Sequence, residues 1–250
     1  LDFRIPPFEG KPLTLRNIMT HTSGFQEIVR DLIVTRSDLT LEQYLRNNIP
    51  SRIYAPGTMP AYSNYATALA GYIIQRVSGE QFPEYIKHHI FDPLGMQHST
   101  FYQPLPQGWN ANMSAGYKNG RDGEAQPFEI IPASPAGALS LTGSDMARFM
   151  IAHLNHGAGL LQPQTADMMH SYRDQQFPVV EPMALGFYHE DLNGLNIIAH
   201  GGDTQWFHSN VALLLDQHVG VFISVNSEGG PAPSTRLLRW EFMQAFVDRY

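Results

Sequence analysis

The chain has 250 residues, 43% hydrophobic and 16% charged, with a formal net charge of −7 and no cysteine. That length supports a sizeable core, and the acidic balance with few lysines excludes an ordinary nucleic-acid-binding surface. The absence of cysteine excludes disulfides, thiolate nucleophiles and cysteine-based zinc sites, and no apolar run approaches the ~18 residues of a membrane span.

No signal peptide is visible at Leu1, and Leu1 to Phe8 reads as interior sequence. The first helical signal follows Thr14, an acceptable N-cap before Leu15, Ile18 and Met19, with Gly24 ending the turn. Thr40 opens a second short helix that Pro50 stops. Pro56-Gly57-Thr58 is turn chemistry, and Asn64 to Val77 reads as a helix with Gly79 at its C-terminal cap. A short helix is expected around Phe82–Ile90. Residues 103–136, rich in Pro, Gly and Asn, read as a long excursion with a few irregular strands. Thr142 and Asp145 form a box-like cap for a helix through Leu154, and another follows Pro163.

From Leu185 the hydrophobic period changes to two. Leu185–Asp191 and Leu195–His200 alternate around Asn193-Gly194, a strong hairpin signal, and Phe207–Asp216 pairs with His218–Asn226 across a tight turn. Ser234 then caps a C-terminal helix with Leu238, Phe242, Ala245 and Phe246 on its buried face. Helices first, then an antiparallel sheet and a covering helix, argue α+β. The chain reads as one domain, with residues 1–184 mostly helix and loop and 185–250 sheet plus final helix.

Two short motifs carry chemistry. Tyr62-Ser63-Asn64 lies between a Pro-Gly turn and a helix N-terminus. A phenol there can shuttle a proton, as a phenolate if a neighbouring cation lowers its pKa, and the Asn64 amide can cap the helix and donate to a substrate carbonyl. The spacing alone is weak, since Tyr117-Lys118-Asn119 matches it too. His200-Gly201-Gly202 ends an expected strand. Its glycines allow close backbone approach to a ligand, and a following N–H can serve an oxyanion. The plainer reading is a bulge with a surface histidine, and His218-Val219-Gly220 has the same form.

The context of both motifs is more specific. Leu13 through Phe25 (LTLRNIMTHTSGF) resembles the "TLRHLLTHTSGL" signature of the superfamily of class C β-lactamases, penicillin-binding proteins and family VIII esterases. Pro56-Gly57-Thr58 through Tyr62-Ser63-Asn64 to Val77-Ser78-Gly79 is similar to its "PGT…YSN…VSG" stretch, and Pro93-Leu94-Gly95-Met96 to its "PLGM". Pro135 to Ser140 with Asp145 resembles "PAGGLxSTAxD", and His200-Gly201-Gly202 with Asn226-Ser227 resembles "HGG…TNS". The landmarks run in family order across nearly the whole chain.

The resemblance implies a β-lactamase/transpeptidase-like α+β fold, an antiparallel sheet flanked by helices beside a mostly helical subdomain. It implies a serine hydrolase that forms an acyl-enzyme on an ester, amide or β-lactam, taking a small-molecule or peptide substrate, with no cofactor or metal. Tyr62 becomes the general base or acid and Asn64 a substrate-positioning amide. His200 takes the place of the lysine in Lys-Thr-Gly, followed by Gly201 and Gly202, and the backbone N–H of Asp203 joins the oxyanion hole. Family members are often exported, which points to the periplasm or secretion.

The family's nucleophile motif, Ser-x-x-Lys, is absent. The three lysines, Lys11, Lys87 and Lys118, are preceded at the third position by Phe8, Glu84 and Ala115. In the family this motif lies on a buried helix upstream of the first landmark, so the expectation is an N-terminal segment missing from this sequence, an open groove in its place, and 250 residues inert by themselves. The alternative is a non-catalytic β-lactamase-like binding or regulatory domain. Two departures bear on the substrate. Asp203 replaces a usual small residue and would repel a substrate carboxylate, and Trp206 replaces a common glycine and would narrow the cleft; both favour neutral esters or amides.

Other signals carry less. His153 and His156 can share a helix face and His88-His89 are adjacent, but no third ligand accompanies them. His21 and Ser23 suit capping and packing, and Ser63 has no activating base within sequence reach.

Overall fold

The computed structural model of the chain describes residues 1–119, 123–173, 182–229 and 235–249. Capping chemistry sets the early helices. Helix α1, Leu15–Met19, and α2, Leu41–Asn47, each begin with a reciprocal capping box, Thr14 with Asn17 and Thr40 with Gln43. Helix α3, Asn64–Ser78, starts on the Ser63 cap and ends at Gly79, whose φ of 79° is left-handed. Inside α3, Gly71 is required by packing: a Cβ there would lie 2.3 Å from the Pro135 ring.

Helix α4, Phe82–Ile86, does not stop near Ile90 as expected; it widens into a π-helical turn, Lys87–Phe91, and continues as α5, Asp92–Leu94. Pro93 has no N–H for the carbonyl four residues back, and the backbone widens just ahead of it. The 103–136 excursion holds a small sheet of β1, Gly116–Tyr117, and β2, Ala125–Gln126. Helix α6, Gly143–Leu154, is capped by Thr142, while the Asp145 carboxylate accepts from His98 N–H, Ser99 Oγ and Arg148. Helix α7, Pro163–Ser171, follows.

The main sheet has the order β3-β4-β5-β6, all antiparallel: Tyr188–Leu192, Leu195–Asp203, His208–Leu214 and Val219–Val225. The β3–β4 hairpin turns on Asn193-Gly194, both with positive φ, as the sequence predicts. Strand β3 begins at Tyr188 and not at Leu185, because Gly186, at φ 87°, folds Met183 back onto Tyr188. Strand β4 continues through the glycines to Asp203, paired without a bulge, Gly201 with Asn210 and Gly202 with Ser209. Helix α8, Thr235–Val247, closes the described chain; the expected cap, Ser234, lies outside the described residues.

Alternation gives the sheet two packed faces. Ile197, Ala199, Ala212 and Leu214 meet Met243 and Val247 of α8. Ile198 and Leu213 meet Met150 of α6 and Phe187. A separate helical core gathers Ile18, Phe25, Leu45, Leu69 and Tyr72. No helix among the described residues is long and apolar enough to cross a membrane.

Arg239 fastens α8 to the sheet. It is 6% exposed, and its guanidinium donates to both carboxylate oxygens of Asp203, at 2.8 and 2.6 Å, and to the carbonyls of Gly202 and Ser209. Replacing Arg239 by Ala strands these acceptors. A fully buried pair broken in this way costs about 3–5 kcal/mol. The Asp203 side chain keeps 39% exposure, so about 2 kcal/mol is expected. Urea denaturation of Arg239→Ala against the parent measures it.

Candidate active site

The N-terminus of α3 sorts three consecutive side chains. Ser63 is extended, with φ −147° and ψ 110°, and wholly buried; its Oγ accepts from the Ala66 N–H and its own N–H donates to His21 Nδ1. That hydroxyl is a cap, in agreement with setting Ser63 aside as a nucleophile. Its neighbours Tyr62 and Asn64 are turned outward, and the Tyr62 hydroxyl donates to Asn64 Oδ1 at 3.4 Å.

Aromatic rings join this helix end to the sheet. The His21 ring lies 4.3 Å from Tyr62 and 6.5 Å from Tyr188, and Tyr188 lies 5.4 Å from His200. Residues far apart in sequence thus meet in one cluster. Burial, with His200 nearby, pushes the His21 pKa from 6.5 down to about 4.

The described charges that act on Tyr62 are carboxylates. Partial burial raises its pKa, and the carboxylates of Glu27 and Asp203 raise it further. Among the described residues no cation is among the groups that shift it, so the phenol is the favoured form and the cation on which a phenolate depends is not supplied by them. Sequence reasoning missed Glu27. Its carboxylate accepts from the Asn64 backbone N–H at 3.0 Å and from Asn64 Nδ2 at 2.9 Å. Burial raises the Glu27 pKa against those two hydrogen bonds.

On β4, His200 and Gly202 share one face with Ser209, Val211, Phe222 and Ser224 by register. His200 Nδ1 lies 2.6 Å from the Gly201 carbonyl, which can only accept. This fixes Nδ1 as the protonated nitrogen and leaves Nε2 as an acceptor on the neutral ring. Burial lowers the His200 pKa, outweighing that bond. A Cβ added at Gly202 would meet nothing within 4 Å, so the cleft is open over this residue. Beyond Ala199 the ladder to β3 has ended, which frees the outer edge of His200–Asp203 among the described residues.

Asp203 belongs to the α8 face, where its carboxylate takes Arg239 and, at 2.7 Å, His208 Nδ1. Burial raises its pKa, but the His208 and Arg239 hydrogen bonds overcome this and hold it at about 2. The carboxylate is thus paired on the α8 side, although its charge still reaches Tyr62. Trp206 packs its Cβ over Gly116 of β1 and is half-buried.

A cavity of about 600 Å³ opens on the same sheet face. Leu139, Leu141, Phe207, Phe222, Ser209 and Ser224 line part of it, while Tyr62, Asn64 and His200 do not. The look-alike motifs are absorbed elsewhere: Tyr117 lies in β1, and His218 sits at φ 54° in the β5–β6 turn. His153 pairs with buried His170 at 2.9 Å, whereas His156 meets Asp167 on the surface, and His88 and His89 both bond Glu80. Among the described residues no group of three or more His, Cys, Asp or Glu could hold a metal.

Comparison with known proteins bears on this arrangement. The Beta-lactamase family model matches residues 4–244. The putative penicillin-binding protein PbpX of Bacillus subtilis is 32% identical over 154 residues, 58% of this chain and 36% of that protein. The D-alanyl-D-alanine-carboxypeptidase/endopeptidase AmpH of Escherichia coli is 28% identical over 239 residues, 89% of this chain and 60% of that protein. The chain therefore spans only part of the length of these relatives. The octameric penicillin-binding protein homologue from Pyrococcus abyssi superposes with a TM-score of 0.77 at 20% identity, covering 98% of this chain and 58% of that one. That likeness confirms the β-lactamase/transpeptidase-like α+β fold.

The neutral His21 makes a pH prediction. Its folded pKa, about 4, lies below the unfolded 6.5, so the unfolded chain takes up a proton first and stability falls as pH drops from about 6.5 towards 4. The shift corresponds to about 3 kcal/mol across that window. His21→Gln should flatten the dependence of the urea midpoint on pH between pH ~7 and ~4.5.

Proposed function

Because the chain belongs to the Beta-lactamase family, we propose that it carries the proton-transfer and substrate-positioning part of a serine hydrolase acting on an ester, amide or β-lactam through an acyl-enzyme. The observation that carries this reading is the convergence of Tyr62, Asn64 and His200, from a helix end and a strand, on one cluster of rings.

The geometry supports the following roles. A serine Oγ attacks the carbonyl carbon, and its proton passes to the Tyr62 oxygen while the Tyr62 proton passes to the leaving oxygen or nitrogen. A phenol both donates and accepts, so this relay needs no free phenolate, in keeping with the raised pKa. His200, with Nε2 unprotonated, presents an acceptor on the same cluster of rings. The second N–H of Asn64 Nδ2 holds a substrate carbonyl. The Asp203 N–H serves the oxyanion where Gly202 leaves the cleft open. Water then attacks the acyl-enzyme, and the same groups return the proton to the serine.

The nucleophile is assigned to polypeptide outside these 250 residues. The sequence has no Ser-x-x-Lys, Ser63 is spent as a cap, and the cavity of about 600 Å³ shares the sheet face of His200. We place the serine-bearing segment there. Its six or so large apolar side chains would contribute about 10–15 kcal/mol, comparable with a whole domain's stability of about 5–15 kcal/mol. β-Lactams, D-alanyl peptides and simple esters all remain candidate substrates, since the Asp203 carboxylate is paired with Arg239 on the α8 side.

A fluorophosphonate or fluorescent penicillin tests the reading. The intact protein should be labelled on a serine outside this sequence, and the 250 residues alone should stay unlabelled. Tyr62→Phe should lower turnover of a labelled substrate class by about 10²–10⁴-fold. Folded intact protein that takes no label would establish a non-catalytic binding domain.

A further inference from the structure

The N–H assigned to the oxyanion belongs to a peptide unit that is held from behind. Thr204 N–H donates to the Phe207 carbonyl at 2.9 Å, and the Asn196 carbonyl accepts from Leu215 N–H at 3.0 Å. Even-numbered residues of β4 therefore aim their backbone groups at β5, and odd-numbered ones aim theirs the other way. For Ala199 that other side holds β3; for Asp203 it is the edge left free among the described residues. The Asp203 N–H thus points out of the open edge of β4. The Gly202 carbonyl, at the opposite end of the same trans peptide unit, points at β5.

That carbonyl accepts from Arg239 Nη1 at 3.0 Å, and the same nitrogen donates to the Ser209 carbonyl at 3.1 Å. Arg239 also grips the side chain of the residue that carries the N–H, with Nη1 2.8 Å from Asp203 Oδ1 and Nη2 2.6 Å from Oδ2. His208 Nδ1 completes the hold on Oδ1 at 2.7 Å. These contacts act on an oxyanion in three ways. They fix the 202–203 peptide plane through its carbonyl and through the Asp203 side chain. A cation bonded to the carbonyl polarises the amide and strengthens its N–H as a donor. The guanidinium also offsets a carboxylate that would otherwise repel negative charge developing at the same residue. Arg239 is buried, so water screens these effects weakly.

We propose that Arg239 is the positioning residue of the oxyanion donor: from the α8 side of β4 it orients and polarises the Gly202–Asp203 peptide and offsets the Asp203 charge as the oxyanion forms. This rests on the oxyanion role given above to the Asp203 N–H. It adds a consequence for turnover to a side chain that also fastens α8 to the sheet.

The test measures kcat and KM of the intact protein with p-nitrophenyl acetate and nitrocefin, at a temperature where circular dichroism shows each variant folded. Arg239→Ala should lower kcat at least about tenfold, short of the ~10²–10³-fold cost of losing a whole oxyanion donor, with KM within about twofold. Millimolar ethylguanidine should restore part of the lost kcat by refilling the guanidinium position. A folded Arg239→Ala protein with the parent's kcat, a loss confined to KM, or a fall in kcat that ethylguanidine leaves unchanged overturns the proposal. If Arg239→Ala does not fold, Arg239→Lys replaces it, since it keeps the charge without the planar fork. A several-fold fall in its kcat sustains the proposal, and the parent's kcat overturns it. If the parent turns over neither substrate, the hydrolase reading fails for them, and the NMR order parameter of the Asp203 N–H decides the positioning separately. A value of about 0.85 in the parent that falls towards about 0.6 in Arg239→Lys sustains it. A value already low in the parent, or equal in the two proteins, sinks it.

Discussion

Strand β4 has a period of two, and the site depends on it. Odd-numbered residues from Ile197 to Asp203 face α8, while Ile198, His200 and Gly202 face the other way. Ile197 and Ala199 anchor the register in one core and Ile198 anchors it in the other, so slipping by one residue would carry each of the three to the opposite core. The same register that buries these apolar groups delivers His200 to the cleft and Asp203 to Arg239. A shift of one position would exchange the neutral imidazole for a carboxylate and leave the Arg239 guanidinium buried without its anion. Core packing and site chemistry are therefore one constraint, which explains why the strand runs unbroken through two glycines.

Helix α3 does the corresponding work on the other side. Its cap residue must be extended for Ser63 Oγ to reach the Ala66 N–H. Once Ser63 points inward, Tyr62 and Asn64 are presented outward on either side of it. His21 holds the cap from behind through the Ser63 N–H and packs on Tyr62. His21 itself has φ 49°, an uncommon left-handed backbone for a residue with a side chain, where the chain leaves α1. That turn brings its ring under the helix end, where it bonds the Ser63 N–H and packs on the phenol of Tyr62.

Features with local causes were legible in the sequence. Capping boxes at Thr14 and Thr40, the left-handed Gly79 and the Asn193-Gly194 turn each follow from a few neighbouring residues. The ordered motifs also singled out Tyr62, Asn64 and His200, which the fold joins through one cluster of rings. What stayed hidden were partnerships between distant elements. Nothing near Asp203 announces Arg239 on α8, so the carboxylate looked free. Nothing near Glu27, in an irregular loop, announces Asn64. The π turn before Pro93 was hidden for a different reason, since hydrophobic periodicity does not distinguish a slightly widened helix from an ended one.

Electrostatics then decides how the cleft can operate. Among the described residues a phenolate at Tyr62 would feel the charges of Glu27 and Asp203 with no cation to offset them, so the proton transfer proposed for these residues keeps the ring neutral, receiving one proton as it gives another. His200 is suited to that regime. A lysine in its place would bring a full positive charge, whereas a buried neutral imidazole with Nε2 unprotonated brings an acceptor. Histidine at position 200 thus contributes an acceptor and no full charge, while the charge of Glu27 reaches the phenol of Tyr62. A cation carried by the proposed serine-bearing segment would offset these carboxylates and lower the cost of ionising Tyr62.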